Sequence, residues 1–186
     1  MNFKTYILSL EKDIHRREWM NSIQPKIGLD FEFFDAFTPN RLTPTIKSFF
    51  SKTDFHEWDI NEEAVMATFI SHVILLKIAV RTQSNVLVLE DDIDMLKSID
   101  WNGIDFDFDL WNLTAKDVAC FAYMVTPIGA AKILHHLNTT EITRAYDWEL
   151  LKLPSNIRIK KETEPIFVQV EHRFISNIAP NGYARR

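Results

Sequence analysis

The sequence predicts an α/β fold, in which an open sheet is flanked by helices, and three observations support this prediction. Residues 5–10 have the character of a strand, and a helical pattern follows at residues 13–23. Over residues 62–80, apolar side chains recur at helical spacing behind two glutamates in the first turn. The apolar run at residues 86–89 fits a buried strand. A β-then-α opening followed by a helix that leads into a strand is typical of the α/β class.

The other elements follow in order along the chain. Residues 31–36 predict a second strand after Gly28. Residues 38–59 have mixed polarity, two prolines and no strong period, so we expect them to be irregular. The rest of the chain predicts strands at residues 106–111, 118–125 and 166–170, a short helix at 127–137, and one helical turn or more at 147–153.

Length and composition indicate one compact domain over residues 1–186. Hydrophobic residues make up 46% of the chain, which is enough for one sizeable core. The formal net charge of −5 and the lack of a long Lys/Arg block argue against nucleic acid as a partner. No apolar stretch approaches the roughly 20 residues that span a bilayer, and no signal peptide precedes the first strand. We therefore expect a cytoplasmic protein.

The single Cys120 has no Cys or His partner at metal-ligand spacing and is most simply a core residue.

The segment that carries most information about function is residues 86–92, where a buried strand ends in Glu90, Asp91 and Asp92. Three adjacent carboxylates are costly near a strand end unless a divalent metal, hydrogen bonds or open water offsets them. In an open α/β sheet, ligands bind at the carboxyl ends of strands. Alternate residues of an extended segment point the same way, so we expect Glu90 and Asp92 on one side and Asp91 on the other. The segment predicts a metal-and-ligand site in which Asp92 is the first metal ligand.

A series of short motifs occurs in a characteristic order along the chain. The motifs are residues 6–10 (YILSL), His15-Arg16-Arg17, residues 31–36 (FEFFDA), Ser71-His72, residues 87–92 (LVLEDD), residues 122–125 (AYMV) with Gly129-Ala130, Asp147 and Gln169. In this order and spacing, the chain resembles glycosyltransferase family 25, the bacterial lipooligosaccharide galactosyltransferase-like group. The resemblance runs from about residue 3 to residue 178.

This resemblance implies a fold, a reaction and its partners. The fold is a GT-A type, Rossmann-like central mixed sheet flanked by helices. The reaction transfers galactose or a related hexose from a UDP-sugar, with inversion, to a saccharide or glycolipid acceptor, as in lipooligosaccharide biosynthesis. The implied cofactor is Mn²⁺ or Mg²⁺, because a hard divalent ion held by carboxylates can bridge the oxygens of the diphosphate leaving group. At most peripheral contact with the inner membrane face is implied.

The resemblance also suggests site residues. Inversion by a single displacement needs a carboxylate base at the acceptor hydroxyl. Asp147 is the candidate for that base, Trp148 beside it could stack on a sugar face, and Glu149 is the nearby substitute. The candidates for donor binding are Ser9, Arg16, Arg17, Ser71, His72, Glu90, Asp91 and Gln169, and those for the metal are Asp92, Glu90 and His172.

Alternative interpretations of these residues stay open. The acidic cluster could be a solvated turn, and Arg16 and Arg17 could belong to a solvated helix face. Asp147 could instead cap a helix, with Trp148 packed in the core. His172 could be a surface histidine.

A second acidic cluster competes with the first. Asp105, Asp107 and Asp109 form two DxD triplets on one face of the predicted strand at residues 106–111, and two phenylalanines alternate with them. This alternation is what a half-buried strand requires, so we interpret the cluster as structural, although it could still contribute a carboxylate to the donor or acceptor pocket.

Two alternatives to the transferase remain at the level of function. A degenerate module of the same fold could bind a nucleotide sugar or a saccharide without transfer. A Mg²⁺-dependent phosphotransferase or nuclease is disfavoured, because the chain is acidic and its four glycines form no phosphate-binding loop.

Overall fold

The structure is a computed structural model that describes residues 3–50, 61–116, 120–170 and 174. Its strands are β1 (Phe3–Ser9), β2 (Glu32–Asp35), β3 (Asn85–Glu90), β4 (Ile93–Met95), β5 (Leu110–Asn112), β6 (Ala122–Val125), β7 (Ile159–Lys161) and β8 (Phe167–Gln169). Its helices are α1 (Ile14–Ile27), α2 (Pro44–Lys47), α3 (Glu62–Thr82), α4 (Pro127–Thr139) and α5 (Tyr146–Leu150), with a 3-10 turn at Pro39–Arg41.

A six-stranded mixed sheet forms the centre of the molecule. Its strand order is β2-β1-β3-β6-β5-β7, and β4 pairs with β8 in a separate two-stranded ribbon. β1 is parallel to both β2 and β3, and β6 is antiparallel to β3 and β5. The chain returns from β1 to β2 through α1 and enters β3 from α3, which is the Rossmann-like pattern of parallel strands with helical connections. The predicted fold class, a central mixed sheet flanked by helices, is confirmed.

The long helix α3 forms where the sequence predicts it. Asn61 caps its N-terminus, with the side-chain oxygen accepting a hydrogen bond from the backbone N–H of Ala64 at 3.1 Å. Glu62 and Glu63 lie in the first turn, where negative charge is favourable. The helix ends at Gln83, which adopts a left-handed conformation with φ of 52°.

α1 is longer than predicted. We expected it to end at about residue 23. The helix instead continues through Pro25 to Ile27, whose side chain is buried in the core. It ends at Gly28, whose φ of 73° is a left-handed conformation that glycine adopts without strain.

The sheet separates two apolar cores, and the side chains of β3 alternate between them. Val86 and Val88 belong to the core that also contains residues of α3 and α4. Leu87 and Leu89 belong to the core that contains residues of α1. Because the side-chain period of a strand is two, Glu90 at the end of β3 continues the side that faces α3.

α3 is also long and apolar enough to cross a membrane, so the expectation that no stretch approaches this length was wrong. Its mean hydropathy is 1.8 over an 18-residue window, of which 44% is buried inside the protein. The core helix of a soluble protein gives the same signal. Eight of the residues of α3 are buried, among them Phe69, Leu75 and Leu76, which have at most 1% exposure. We interpret α3 as the core helix of this domain.

The strand predicted at residues 106–111 is mostly absent, since β5 begins only at Leu110. The reason lies in Asp109, whose side chain is fully buried. It accepts hydrogen bonds from Lys132 Nζ at 2.7 Å and from the backbone N–H of Arg158 at 2.8 Å. Asp107 pairs with the side chain of Arg158. These two carboxylates hold neighbouring segments together, which supports the structural interpretation of the second acidic cluster.

The first turn of α4 packs directly against the start of β5. A Cβ atom added to Gly129 would lie 2.0 Å from the backbone oxygen of Asp109, which no real side chain tolerates. Thr126 caps the helix by accepting a hydrogen bond from the backbone N–H of Gly129 at 3.0 Å. The glycine therefore permits the close approach of α4 to the sheet.

Candidate functional site

The acidic motif lies where β3 ends. β3 stops at Glu90, and Asp91 and Asp92 form a turn that leads into β4. The register of the parallel pair places Leu8 of β1 opposite Glu90, so both strands end at the same edge of the sheet. This edge is the usual location of ligand sites in open α/β sheets.

Arg16, in the first turn of α1, supplies a cation to this motif. Its Nη1 atom donates a hydrogen bond to Asp91 Oδ1 at 2.7 Å and lies 3.2 Å from Asp92 Oδ2. The side chains of Arg16, Asp91 and Asp92 are only 11%, 8% and 15% exposed. The ring of Phe174 also lies 5.2 Å from the guanidinium carbon of Arg16. A largely buried guanidinium therefore offsets part of the charge that the sequence placed at the strand end.

The predicted separation of Asp91 from Asp92 is wrong. We expected Asp91 to point away from Glu90 and Asp92, as it would in an extended strand. The strand ends at Glu90, so its alternation does not continue through the turn that follows. As a result, Asp91 and Asp92 contact the same guanidinium, and Glu90 faces α3 instead.

His72 of α3 contacts Glu90 on the side of the sheet that faces α3. Its Nε2 atom lies 3.5 Å from Glu90 Oε1, and its side chain is 1% exposed. Its Nδ1 atom lies within hydrogen-bond distance, 3.1 Å, of the hydroxyl of Tyr123 on β6. Burial lowers the pKa of His72 to about 4, so the imidazole is neutral near pH 7.

Two carboxylates of the motif, Glu90 and Asp92, have pKa values raised well above the ordinary ones. Burial raises the pKa of Glu90 to about 7, and the nearby charges of Asp91 and Asp147 add to the rise. Burial and the neighbouring Glu90 raise the pKa of Asp92 to about 7, although Arg16 and Gln169 act in the opposite direction. Perturbed carboxylates that converge at a sheet edge are typical of functional sites.

Ser9 and Gln169 support the two aspartates. Ser9, the last residue of β1, is buried, and its hydrogen bond with Asp91 lowers the pKa of that carboxyl, against the larger effect of burial. Gln169 of β8 lies opposite Ile93 in the ribbon, and its side chain hydrogen bonds to Asp92. Both residues thus lie beside the acidic motif, and their roles in donor binding stay predictions.

Asp147 reaches the same site from α5. It lies close enough to influence the pKa of both Glu90 and His72, and burial raises its own pKa above the ordinary value. The alternative that Asp147 caps a helix is wrong, because Ala145 occupies the N-cap position. Trp148 is 39% exposed rather than packed in the core, and the guanidinium of Arg144 lies 5.1 Å from the centre of its ring. Trp148, the residue after Asp147, is therefore partly exposed, with the Arg144 guanidinium over its ring.

Glu149 has a different position from Asp147. Its side chain is fully buried, and Oε1 accepts hydrogen bonds from the backbone N–H groups of Thr143 and Arg144 at 3.0 and 2.9 Å. Lys152 Nζ donates to the same oxygen at 3.0 Å. These contacts show that Glu149 holds the turn before α5 in place.

Two predicted donor-binding residues use their polar groups within the fold. Arg17 pairs with Asp35 at the end of β2 and stacks its guanidinium 4.9 Å from the centre of the Phe33 ring. The buried hydroxyl of Ser71 accepts from the backbone N–H of Phe37 at 2.9 Å and donates to the backbone oxygen of Ala67 at 2.9 Å. Their roles in donor binding stay predictions. The role of His172 as a metal ligand also stays a prediction, because this residue lies outside the described residues.

Sequence analysis missed one wall of the site. Cys120, expected in the core, lies at the core's edge, and burial raises the pKa of its thiol well above the ordinary value, with further contributions from Asp147 and Glu90. Tyr123 and Tyr146 likewise surround His72. In the sequence, only the motif at residues 122–125 pointed to this region. The contacts that form the region join segments that are distant in sequence, so no other local pattern revealed it.

Asp92 is the residue best suited to bind a metal ion. Its Oδ1 atom is buried and has no hydrogen-bond partner among the described residues, whereas Oδ2 faces Arg16. Oxygen donors of this kind suit Mn²⁺ or Mg²⁺, and Glu90 repels Asp92 in the absence of a cation between them. In the described part of the chain, no group of three or more His, Cys, Asp or Glu side chains is arranged to hold a metal. The residues fit an ion that takes few ligands from the protein, as Mg²⁺ does at phosphate sites.

Comparison with known proteins identifies the family. The family model described as glycosyltransferase family 25 (LPS biosynthesis protein) matches residues 2–100, just over half of the chain. The chain belongs to glycosyltransferase family 25. The matched residues include the acidic motif, Arg16 and His72, and thus the part of the candidate site formed by β1, α1, α3 and β3.

Two individual proteins are similar to this family 25 chain. A Haemophilus influenzae (strain ATCC 51907 / DSM 11121 / KW20 / Rd) protein named "Putative glycosyltransferase" is 26% identical over 170 residues, which cover 76% of this chain and 60% of that protein. The chain thus spans about 60% of the length of this curated relative. A solved structure, titled as a glycosyltransferase involved in the glycosylation of the major capsid of PBCV-1, is 11% identical with a TM-score of 0.49. That match covers 91% of this chain and 93% of the other, and nothing about the chemistry of this chain follows from it.

Proposed function

We propose that this family 25 member is a metal-dependent, inverting glycosyltransferase. It moves galactose or a related hexose from a UDP-sugar to a saccharide or glycolipid acceptor, as in lipooligosaccharide biosynthesis. The observation that carries the proposal is the convergence of Asp147 with Glu90 at the carboxyl edge of the sheet. Glu90 of β3 provides a carboxylate for the donor side, and Asp147 of α5 provides one for the acceptor side.

Asp147 is the proposed general base. Its raised pKa makes it a stronger base than an ordinary aspartate, and its carboxylate is only partly buried. It takes the proton of the acceptor hydroxyl while that oxygen bonds to the anomeric carbon. The bond from that carbon to the diphosphate oxygen breaks on the opposite face, and UDP leaves with the electron pair. This single displacement inverts the anomeric configuration.

Asp92 and Glu90 are the proposed ligands of Mn²⁺ or Mg²⁺. A divalent ion held there would supply positive charge to the diphosphate as the bond breaks. The unpartnered Oδ1 atom of Asp92 supports this assignment. Arg16 holds Asp91 and Asp92 in place, with Ser9 and Gln169 as further hydrogen-bond partners. Trp148 offers an accessible ring on which an acceptor sugar can stack.

One observation favours a second candidate function. Arg16 already offsets the charge of Asp91 and Asp92, so the motif is partly neutralised without a metal. A non-catalytic module that binds a nucleotide sugar or a saccharide would keep such an arrangement. Turnover distinguishes the two functions, because a binding module binds the donor without transferring its sugar.

A donor-panel assay tests the proposal. The purified protein is incubated with Mn²⁺ and with UDP-, GDP- or CMP-linked sugars, each with and without simple saccharide acceptors, and the released nucleotide is measured. We expect release only from a UDP-hexose, and NMR of the product to show an inverted anomeric centre. The Asp107→Asn variant should release nucleotide as the wild type does, because Asp107 is an exposed carboxylate that pairs with Arg158 outside the site.

Each other outcome of this assay contradicts part of the proposal. Binding of UDP without turnover of any donor would favour the binding module. Retention of anomeric configuration would contradict the single displacement.

A further inference from the structure

The imidazole of His72 contacts both sides of the candidate site. Its Nε2 atom lies 3.5 Å from Glu90 at the end of β3. One face of its ring stacks on Tyr146, with ring centres 4.5 Å apart and planes 2° from parallel. Tyr146 directly precedes Asp147 in α5. The buried His72 ring thus contacts both Glu90, the carboxylate on the donor side, and Tyr146, the neighbour of the proposed base Asp147.

A third contact fixes the orientation of this ring. Its Nδ1 atom lies 3.1 Å from the hydroxyl of Tyr123, which is 1% exposed. The imidazole is therefore held by groups from β3, β6 and α5 while its own backbone belongs to α3. At 1% exposure, His72 cannot contact a substrate itself, so any effect on the reaction must pass through its neighbours.

The contacts also predict which nitrogen carries the proton. The neutral imidazole has one donor and one acceptor. An ionised Glu90 carboxylate can only accept, whereas the Tyr123 hydroxyl can donate. The arrangement that satisfies both neighbours has the proton on Nε2, directed at Glu90, and Nδ1 accepting from Tyr123 O–H.

We propose that His72 is a positioning residue that sets the separation between Glu90 and Asp147, through its Nε2–H group and through its stacked contact with Tyr146. The inference rests on the proposed function, because it assigns the two carboxylates to the donor and acceptor sides. Misplacement of reacting groups by about 1 Å can lower a rate about a hundredfold. The ring therefore determines the rate of transfer more than the affinity for the donor nucleotide.

Three substitutions separate hydrogen bonding from packing. His72→Gln places a side-chain amide donor near the position of Nε2, and His72→Asn places one near the position of Nδ1. His72→Phe keeps an aromatic ring on Tyr146 but removes both nitrogens. We expect kcat to fall about 10- to 100-fold in the Asn variant, which loses both the Nε2 donor and the stacked ring, and by a smaller factor in the Gln and Phe variants, which each keep one of them. UDP affinity in Mn²⁺ should fall less than kcat in these variants, because Glu90, which His72 contacts, is one of two proposed metal ligands and the other, Asp92, is held by Arg16.

Several outcomes would overturn the proposal. Wild-type kcat in the Phe variant would mean that His72 contributes packing alone, wild-type kcat in the Asn variant would mean that neither contact sets the separation, and a loss confined to KM would mean that His72 serves binding. Nitrogen NMR of the wild-type imidazole gives a readout that needs neither turnover nor a variant that folds. With Glu90 ionised, a proton on Nε2 supports the proposal and a proton on Nδ1 contradicts it. Absence of turnover in the wild type overturns the proposed function instead, and the NMR result then decides the geometry of His72.

Discussion

Arg16 donates a hydrogen bond to Asp91 at 2.7 Å across 75 residues of sequence. The same guanidinium nitrogen reaches Asp92 at 3.2 Å, so one cation from α1 holds the turn that follows β3. All three side chains are at most 15% exposed. The acidic motif is therefore part of a buried ion-pair network, and this has direct consequences for stability.

Replacing Arg16 by Gln should destabilise the protein strongly. Removing one partner from a buried ion pair leaves uncompensated charge and costs about 3–5 kcal/mol. We expect a loss of about 3 kcal/mol at neutral pH by urea denaturation, and a smaller loss at acidic pH, where the aspartates take up protons. Lys26→Gln is the control, because its pair with Asp94 is half-exposed and such pairs contribute about 1 kcal/mol or less. Equal losses in the two variants would show that the Arg16 network does not stabilise the fold.

The sequence predicted the elements that local pattern determines, but not the contacts that join them. α3 was predicted because its acidic first turn and its apolar spacing both lie within the helix. The pairing of Arg16 with Asp91 has no local signature, since it depends on how α1 packs on the sheet. The strand at residues 106–111 was overpredicted because alternation alone does not reveal that Asp109 is buried by Lys132 and Arg158.

In the candidate site too, the sequence predicted what a local pattern determines and not the contacts between distant segments. Asp92 and Glu90 stand out in the sequence because three acids follow an apolar strand. The sequence could not show that Ser71 hydrogen bonds within the fold whereas the adjacent His72 faces Glu90. Neighbouring helix positions point about 100° apart, so two adjacent residues of one motif can have different partners.

The raised pKa of Glu90 predicts a pH-dependent stability. Its pKa is about 7 in the folded protein, compared with an ordinary value of 4.5. Between these values the folded protein keeps a proton that the unfolded chain has released, so the contribution of Glu90 to stability is lost as the pH rises through 7. Glu90→Gln removes this titration. The variant should gain free energy of unfolding relative to the wild type from about pH 4.5 to 7, with a constant difference above that range. A difference independent of pH would contradict a raised pKa.

Asp147→Asn should separate catalysis from folding. We expect kcat to fall by about two orders of magnitude or more, because the base is lost, with the melting temperature and UDP affinity nearly unchanged. Glu149→Gln should show the opposite pattern. It weakens the buried contacts to Thr143, Arg144 and Lys152 and should lower the melting temperature first. If Glu149→Gln abolished turnover in a stable protein and Asp147→Asn did not, Glu149 would be the base.

Gly129→Ala should disrupt the contact between α4 and β5. The added Cβ would meet the backbone of Asp109, which cannot move without shifting a strand. We expect a loss of at least about 2–3 kcal/mol by urea denaturation. Gly28→Ala is the comparison, because it introduces a left-handed alanine into open space and should cost about 1–2 kcal/mol. A smaller loss for Gly129→Ala than for Gly28→Ala would show that α4 can move away from the sheet.

The most direct test of the account is calorimetric titration of UDP into the protein, first with Mn²⁺ and then with a chelator. We expect binding that requires the metal in the wild type, and binding that is lost in Asp92→Asn while the melting temperature is retained. The same UDP affinity in the Asp92→Asn variant with and without metal would contradict the assignment of the metal to Asp92. The absence of UDP binding to the wild type under either condition, with GDP- and CMP-linked donors also failing to bind, would contradict the proposed function itself.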